Sequence, residues 1–319
     1  MSVTKSEQAL SQPGMNQQSS GELDLWDLWK PKPARTRLLE ALRLLLGPVN
    51  YERVQYYRHI GRWPRLKQPR AFTEKIVWRK LHANIANASL ISDKLSVRDY
   101  VRDLGGEKYL NEIYAVVSDP AALDFEQLPQ SFVAKANHGS GMNVVVADKS
   151  AVDLERVRAR LALFLKQDFG RLSTEPWYQS LERKIFVEKF LWDENHGVPI
   201  DFKFYVFHGR TRFVQVDANR IGQITRNFYD REWKPTPYRI DYPGEPSGPD
   251  VPAPANLGEM LDLAEKLAGD LDFVRVDLYS VNDREIVFGE LTLAPGGGWG
   301  PFDPRDADEL VGSYWQLQT

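Results

Sequence analysis

The 319-residue sequence contains no cysteine. That absence removes disulfide bonds, thiolate nucleophiles and cysteine-ligated zinc or iron–sulfur centres. The five histidines are scattered and none is spaced i, i+4, so a histidine zinc site is missing too. No apolar run can span a bilayer: the greasiest, Leu38 to Leu46, is interrupted by Glu40 and Arg43. The opening residues, MSVTKSEQALSQPGMNQQSSGELD, include no apolar segment of the secretory type, and the expected location is cytoplasmic. No GxxxxGK[ST] loop occurs, which excludes a Walker-type phosphate site. Nor does one charge dominate. With 41 Lys and Arg against 44 Asp and Glu, the net charge of −3 argues against a protein built to bind nucleic acid.

What remains is an ordinary soluble composition, 42% apolar and 27% charged, in a chain long enough for one large domain or two lobes. Residues 1–22 are rich in Ser, Gln and Gly and read as a disordered tail. A helical N-terminal region follows over 23–91, punctuated by Pro31, Pro33, Pro48, Pro64 and Pro69. Its leucines at 38, 39, 42, 45 and 46 follow helical spacing. With Trp26 and Trp29 ahead of them, this helix packs on the main body or rests on a membrane surface or a partner. Further helices are expected from Thr73 to about Asn84 and from Ser92 to Leu104, the second within a helix-and-linker segment over 92–130. Beyond Pro129 short β-rich segments alternate with helices near 152–168 and 256–269. The β segments are 131–136, 143–147, 185–191, 202–207, 211–217, 273–281 and 285–293. The order indicates an α+β chain rather than a doubly wound parallel sheet.

Three segments concentrate chemistry. In FVAKANHGSGMNVVV (132–146) a strand delivers Lys135 to a small loop, His138-Gly139-Ser140-Gly141. Glycine lets backbone N–H groups approach phosphate oxygens, although an ordinary hairpin turn has the same look. In IFVEKFLW (185–192) and DFKFYVFHG (201–209), Glu188 and Lys189 end an apolar strand, and Asp201 and Lys203 share a face of the next. A half-buried strand with a solvated face would read the same way. The third segment, FVRVDLYSVNDREIVFGELTLAPGGGWG (273–300), is the most informative. A two-residue Asn282-Asp283 turn would set Arg275 opposite Glu290 and Asp277 opposite Phe288, leaving Asp277 and Glu290 diagonal on one face. Carboxylates on apolar strands demand cations, either Mg²⁺ or a structural arginine pair.

Taken in order, these segments resemble the TupA-like ATP-grasp family, named for a teichuronopeptide biosynthesis protein. The likeness runs through PRAFTEKIVWRKL (69–81), SDKLSVRDYV (92–101), LPQSFVAKANHGSG (128–141) and IFVEKFL (185–191). It continues in PIDFKFYVFHGRTRFVQVD (199–217), RNFYD (226–230), FVRVDLY (273–279) and FGELTLAPGGG (288–298). The resemblance implies an ATP-grasp fold of two α+β lobes gripping ATP, with a small lobe over 131–191 and a large one over 192–319. It assigns Lys94 and Lys135 to the nucleotide phosphates, and His138, Gly139, Ser140, Gly141 and Met142 to a flap above them. Glu188, Lys189, Phe190 and Leu191 become the adenine hinge, Asp201 a ribose contact and Lys203 a further phosphate contact. Asp277 and Glu290 match the Mg²⁺ ligands, and Arg275 the arginine that stabilises acyl-phosphate and tetrahedral species. Two positions depart from the pattern. Thr292 stands where Asn is usual, and Met142 where a further glycine is common.

The implied activity is ADP-forming ligation of a carboxylate to an amine, with ATP and Mg²⁺ as cofactors. The acid is a small molecule or a uronic-acid glycan, and the setting cell-surface polysaccharide biosynthesis or metabolite tailoring. Arg220, Arg226 and Asn227 are candidates for holding the acid, or else belong to a solvated basic loop. A kinase on the same fold and a non-catalytic nucleotide-binding protein stay open, as does a homo-oligomer. Asp168-Phe169-Gly170 spells a kinase metal motif without the HRD-type loop that must precede it.

Overall fold

The computed structural model describes residues 33–219, 223–241 and 244–317. The tail read over 1–22, Trp26, Trp29 and Arg220 lie outside them. Helix α1 (Pro33–Ile60) is two helices joined at Gly47, where φ is 70°. Pro48 has no N–H to continue the first ladder, and glycine accepts the positive φ. Helix α2 (Phe72–His82) starts where the Glu74 carboxylate accepts from the N–H groups of Arg70 (3.0 Å) and Ala71 (3.1 Å).

The helix expected over 92–104 is broken. Helix α3 (Ala88–Ser92) stops and α4 (Val97–Asp103) begins after a turn. The Asp93 carboxylate makes that break by accepting from Leu95 N–H and Ser96 Oγ, both at 2.9 Å, and it also takes the Asn137 amide at 3.0 Å. Lys94 therefore projects from a turn, not from a helix.

Two antiparallel sheets follow. The smaller has the order β1-β4-β2-β3, from β1 (Ile113–Val117), β2 (Phe132–Ala136), β3 (Asn143–Val146) and β4 (Ile185–Lys189). Its first strand lies in the stretch read as linker. Helix α5 (Leu154–Lys166) lays Val157, Leu161 and Phe164 on Phe132, Ala134, Val146, Ile185 and Val187. Helix α6 (Phe169–Ser173) is capped by Asp168, whose carboxylate accepts from Arg171 N–H, so the Asp-Phe-Gly triplet is a helix start.

The larger sheet has the order β10-β9-β5-β6-β7. Its strands are β5 (Asp201–Phe207), β6 (Arg210–Ala218), β7 (Thr225–Asp230), β9 (Phe273–Val281) and β10 (Glu285–Thr292). A short pair, β8 (Arg239–Ile240) with β11 (Phe302–Asp303), lies beside it. Every residue of β5 is buried, so the solvated-face reading of this strand is wrong. One face carries Phe202, Phe204, Val206, Val214, Val216, Val274 and Val276, and α7 (Leu257–Ala268) packs across β5, β6 and β9. The other face changes character along each strand. Phe207, Tyr205, Phe213 and Phe273 form an aromatic end, met edge-on by Phe72 of α2 and at a tilt by Trp315, which follows α8 (Ala307–Ser313). Two residues further along the same strands, the side chains become charged.

Arg79 of α2 anchors the aromatic end. It is 1% exposed, pairs with Asp272, donates to the Phe273 (2.8 Å) and Leu293 (3.2 Å) carbonyls, and lies 4.3 Å from the Trp315 ring. Burial pulls its pKa down to about 10 against the pull of Asp272, so it stays charged at neutral pH.

Glu74 gives the fold an acid-sensitive point. Burial would raise its pKa, but Arg65, Arg62 and the N–H groups of Arg70 and Ala71 hold it at about 2, below the ordinary 4.5. A depressed carboxylate contributes stability above the unfolded pKa and loses it as pH falls toward the folded one. Wild-type protein should therefore lose stability between about pH 4.5 and 2 that Glu74→Gln does not lose. The difference is on the order of 1–2 kcal/mol, since both arginines are partly solvent-screened. Urea unfolding of both proteins across this window checks it.

Candidate functional site

The charged end of the large sheet is built by register. Glu290, Asp277, Lys203 and Gln215 lie directly opposite one another across β10, β9, β5 and β6. On one side of this row stand Thr292, Arg275 and Tyr205, and on the other Tyr279, Asp201, Asp217 and Arg226. Directly opposed residues of antiparallel strands share a face, so these side chains converge.

That convergence depends on an irregularity. The β9–β10 loop is three residues long, with Val281 opposite Glu285, not the two-residue turn expected. The extra residue alone would turn Glu290 to the wrong face. A bulge between Phe288 and Glu290 shifts the ladder once more, so Glu290 faces Asp277 and Thr292 faces Arg275. Gly289 sits in the bulge. A Cβ there would lie 3.0 Å from the Asp277 carbonyl oxygen, which only glycine avoids.

The ionic contacts are dense. Arg275 donates to Asp277 through Nε (2.7 Å) and Nη2 (2.6 Å), and lies 3.4 Å from Glu290 and 3.2 Å from Thr292 Oγ1. Lys203 pairs with Asp201, with Asp277 at 3.0 Å and with Asp217 at 3.9 Å. Burial pushes the Asp277 carboxyl up, and Arg275 and Lys203 oppose that rise. Glu290 moves the other way: against burial, Lys94 and Arg275 hold it well below the usual carboxylate range.

Lys94 joins this sheet to the smaller one. Its ammonium lies 2.8 Å from Glu290 Oε2 and donates to the Gly139 carbonyl at 2.7 Å. Lys135 pairs with Glu188 across β2 and β4 and feels Tyr279 and Glu290 of the facing sheet. Between the sheets, Lys94, Arg98, Lys135, Phe186, Leu191, Tyr279 and Val287 are among the residues that line a tight cavity of about 20 Å³. The glycine loop meets this cavity through Lys94, which bonds the Gly139 carbonyl. Gly139 has φ 149° and Gly141 has φ 71°, and a Cβ at Gly139 would strike Met142 and Phe169. Ser140 and Gly141 are exposed, whereas Met142 is buried under the loop and takes the place of a further glycine as an anchor.

Other residues singled out from the sequence fall differently. The His138 imidazole is 1% exposed and sits 3.3 Å from the Gln167 carbonyl, so only its backbone can serve a ligand. At the hinge, Lys189 N–H donates to the Glu112 carbonyl (2.9 Å) and its carbonyl accepts from Asn111 (2.8 Å), which leaves Phe190 and Leu191 as the available portion. Asp201 is buried within the ionic row and held by Lys203. Arg226 is likewise buried, bidentate to Asp217 (2.6 and 2.9 Å) and 2.5 Å from Glu245, so it holds a neighbour instead of a loose loop. Asn227 is on the opposite face, bonded to Gly248 and Pro249.

The sequence reading missed Asp217, Gln215, Tyr279, Arg98 and Asn111. The alternation Phe213, Gln215, Asp217 between valines was the available signal, since it puts polar groups on the Lys203 face. Among the described residues no three His, Cys, Asp or Glu side chains cluster as a metal site. Asp277, Glu290 and Thr292 Oγ1 are an all-oxygen set, which fits Mg²⁺ when phosphate and water complete its shell. A larger cavity of about 380 Å³ lies beyond β7, between Tyr229, Tyr238 and Arg239, and contains none of these ionic groups.

Comparison with known proteins agrees with this architecture. The TupA-like ATPgrasp family model matches residues 74–316. Among solved structures, an L-amino acid ligase from Bacillus licheniformis is similar at 14% identity with a TM-score of 0.44, over 71% of this chain and 49% of that one. The ATP-grasp ligase PsnB, complexed with precursor peptide PsnA2 and AMPPNP, has 15% identity and a TM-score of 0.39, over 76% and 64%. The D-alanine–D-alanine ligase from Bacillus anthracis, complexed with ATP, has 13% identity and a TM-score of 0.39, over 65% and 56%. The chain thus spans less than two thirds of the length of these structures. No curated protein matches it.

Gly289 is the position where site and fold can be separated. Gly289→Val should push β9 and β10 apart at the bulge, costing about 1–3 kcal/mol, and move Glu290 away from Asp277. Thermal melting reads the first effect and calorimetric titration with Mg·ATP the second; unchanged nucleotide binding would remove the bulge from the site.

Proposed function

The chain belongs to the TupA-like ATP-grasp family, and from that premise we propose that it is an ATP- and Mg²⁺-dependent carboxylate–amine ligase. The observation that carries this reading is the pairing of buried Asp277 with half-buried Glu290, which Lys94 joins to a glycine loop on the facing sheet. The acid substrate is a small-molecule or glycan carboxylate and the co-substrate an amine, the bond formed being an amide. Cell-surface polysaccharide assembly is the setting we favour.

In this reading a carboxylate oxygen attacks the γ-phosphorus of ATP, the bond to ADP breaks, and an acyl phosphate results. The amine nitrogen then attacks the acyl carbon, phosphate leaves, and the nitrogen gives up its proton. Asp277, Glu290 and Thr292 would hold Mg²⁺, which when bound neutralises phosphate charge. Lys94 and Lys135 face the cleft from opposite sides and bind phosphate oxygens. Ser140 and Gly141, exposed at the loop tip, close over them and exclude water from the acyl phosphate. Phe186, Leu191 and Val287 give the cleft an apolar wall suited to a purine. Arg275, within reach of Thr292 and Glu290, stabilises the oxyanion of the tetrahedral species. Lys203 and Arg226 do not contact substrate in this scheme; through ion pairs they hold Asp201, Asp217 and Asp277 in place.

The test is ADP release with Mg·ATP over a panel of amino acids and uronic acids, each paired with amines, with product masses recorded. ADP formation that requires both partners, with a product lighter than their sum by one water, supports the ligase. A stable phosphorylated acid would instead make the protein a kinase. Glu290→Ala should lower turnover by more than about 100-fold through loss of a metal ligand. A rate near wild type would sink that role for Glu290.

A further inference from the structure

Charge is distributed unevenly along the N-terminal helical region. Residues 41–74 hold six arginines and one lysine in a chain whose net charge is −3. The acids there, Glu52 and Glu74, are both 0% exposed; Glu52 pairs with Lys80, and Glu74 with Arg62 and Arg65. Arg53, Arg58, Lys67 and Arg70 are exposed. No acid of this stretch reaches the surface to balance them.

The same stretch exposes large apolar side chains. Of the ten large hydrophobic residues exposed among the described residues, Leu44, Leu45, Val49, Tyr57 and Trp63 are five, with Leu44 70% and Leu45 82% accessible. Val49, Arg53 and Tyr57 recur at i, i+4 on the face of α1 opposite buried Tyr51, Glu52 and Gln55. Trp63 extends this face. Its ring stacks on Tyr57 at 4.7 Å, with the Arg53 guanidinium 5.8 Å from its centre. Ordinary soluble surfaces scatter such residues singly.

We propose that this stretch, the helical segment before Gly47 with Leu44 and Leu45 and the face of Val49, Tyr57 and Trp63 after it, docks the protein on an anionic lipid surface. Leucines and valine enter the acyl boundary, Tyr57 and Trp63 sit at headgroup level, and the arginines and Lys67 meet lipid phosphates. A polyanionic glycan would account for the cations but not for leucines left 70% and 82% accessible. A second copy of the chain would bring two basic faces together, which repel. Among the described residues no helix is long and apolar enough to cross a membrane, so the contact is peripheral.

The full chain is tested by flotation with vesicles of phosphatidylcholine alone and of equal parts phosphatidylcholine and phosphatidylglycerol. Binding should be confined to the anionic vesicles and weaken as salt is raised. Leu44→Glu with Leu45→Glu should lower vesicle affinity by at least about tenfold. Arg53→Glu with Lys67→Glu should lower it about fivefold or more for each reversal. Unchanged thermal melting in both variants shows that folding is intact. Absence of vesicle binding overturns the proposal, as does binding that the leucine variant leaves unaltered. Retention by a soluble polyuronate independent of the leucines would reassign the face to glycan. A dimer dissolved by the leucine variant would reassign it to a second copy. Vesicle binding needs no turnover, so this result stands apart from the ligase assay.

Discussion

Four carboxylates gather at one end of a single sheet face, Asp201, Asp217 and Asp277 buried and Glu290 half-buried, and the architecture depends on what neutralises them. An isolated buried carboxylate costs several kcal/mol even after relaxation, so the strands alone could not hold this set. The neutralising cations come from separate elements. Lys203 is on β5, Arg275 on β9, Arg226 on β7, and Lys94 on the turn between α3 and α4. Moving any one strand out of register would strand a charge. Electrostatics thereby enforces the same register that the hydrophobic pattern requires, and ties the turn carrying Lys94 to the sheet.

The division of the sheet face into aromatic and charged ends follows from strand periodicity. On β5, the residues at 201, 203, 205 and 207 are Asp, Lys, Tyr and Phe, and β9 runs Phe, Arg, Asp, Tyr at 273, 275, 277 and 279. Antiparallel pairing sets Phe207 opposite Phe273 at one end and Lys203 opposite Asp277 nearer the other, with Tyr205 opposite Arg275 between them. The aromatic end is packed by Phe72 and Trp315 and fixed by Arg79, so it supplies rigidity. The charged end faces the smaller sheet. A rigid half thus positions a polar half only two residues away, as a precise ionic site requires.

Much of this was legible in the sequence. The span of β9 was read to the residue, and the two longer helices after Pro129 and the main strands other than β1 and β7 to within a few residues. Those segments have strong periodicity, which survives without tertiary information. Four misreadings share a cause, because each was settled by a contact distant in sequence. Asp93 breaks the expected 92–104 helix because its carboxylate also receives Asn137. Strand β1 reads as linker until β4 pairs with it. The bulge at Gly289 shows only in the register that brings Glu290 opposite Asp277. Strand β7, whose Arg226 and Asn227 also read as a basic loop, goes unread until β6 pairs with it. The loop length after β9 and the bulge displaced the register twice, and the two displacements brought Asp277 and Glu290 onto a common face as direct partners instead of diagonal ones.

The pairing pattern also bears on how such a site accepts a ligand. Each cation that would serve a phosphate is engaged with an acid: Lys94 with Glu290, Arg275 with Asp277, Lys135 with Glu188. Each acid that would serve a metal is held by one of those cations. A polyphosphate alone would draw the cations away and leave buried carboxylates uncompensated, and a divalent ion alone would do the reverse. A polyphosphate accompanied by its divalent ion offers both signs together, so each group of the internal pairs can exchange its partner for another of opposite charge. Lys94 extends this exchange to the glycine loop, because it shares its ammonium between Glu290 and the Gly139 carbonyl. Releasing Glu290 frees Lys94 to follow the phosphate, and the carbonyl it binds belongs to the loop that would close above it. In the proposed ligase, occupancy of the acidic pair would reach the loop through this one side chain.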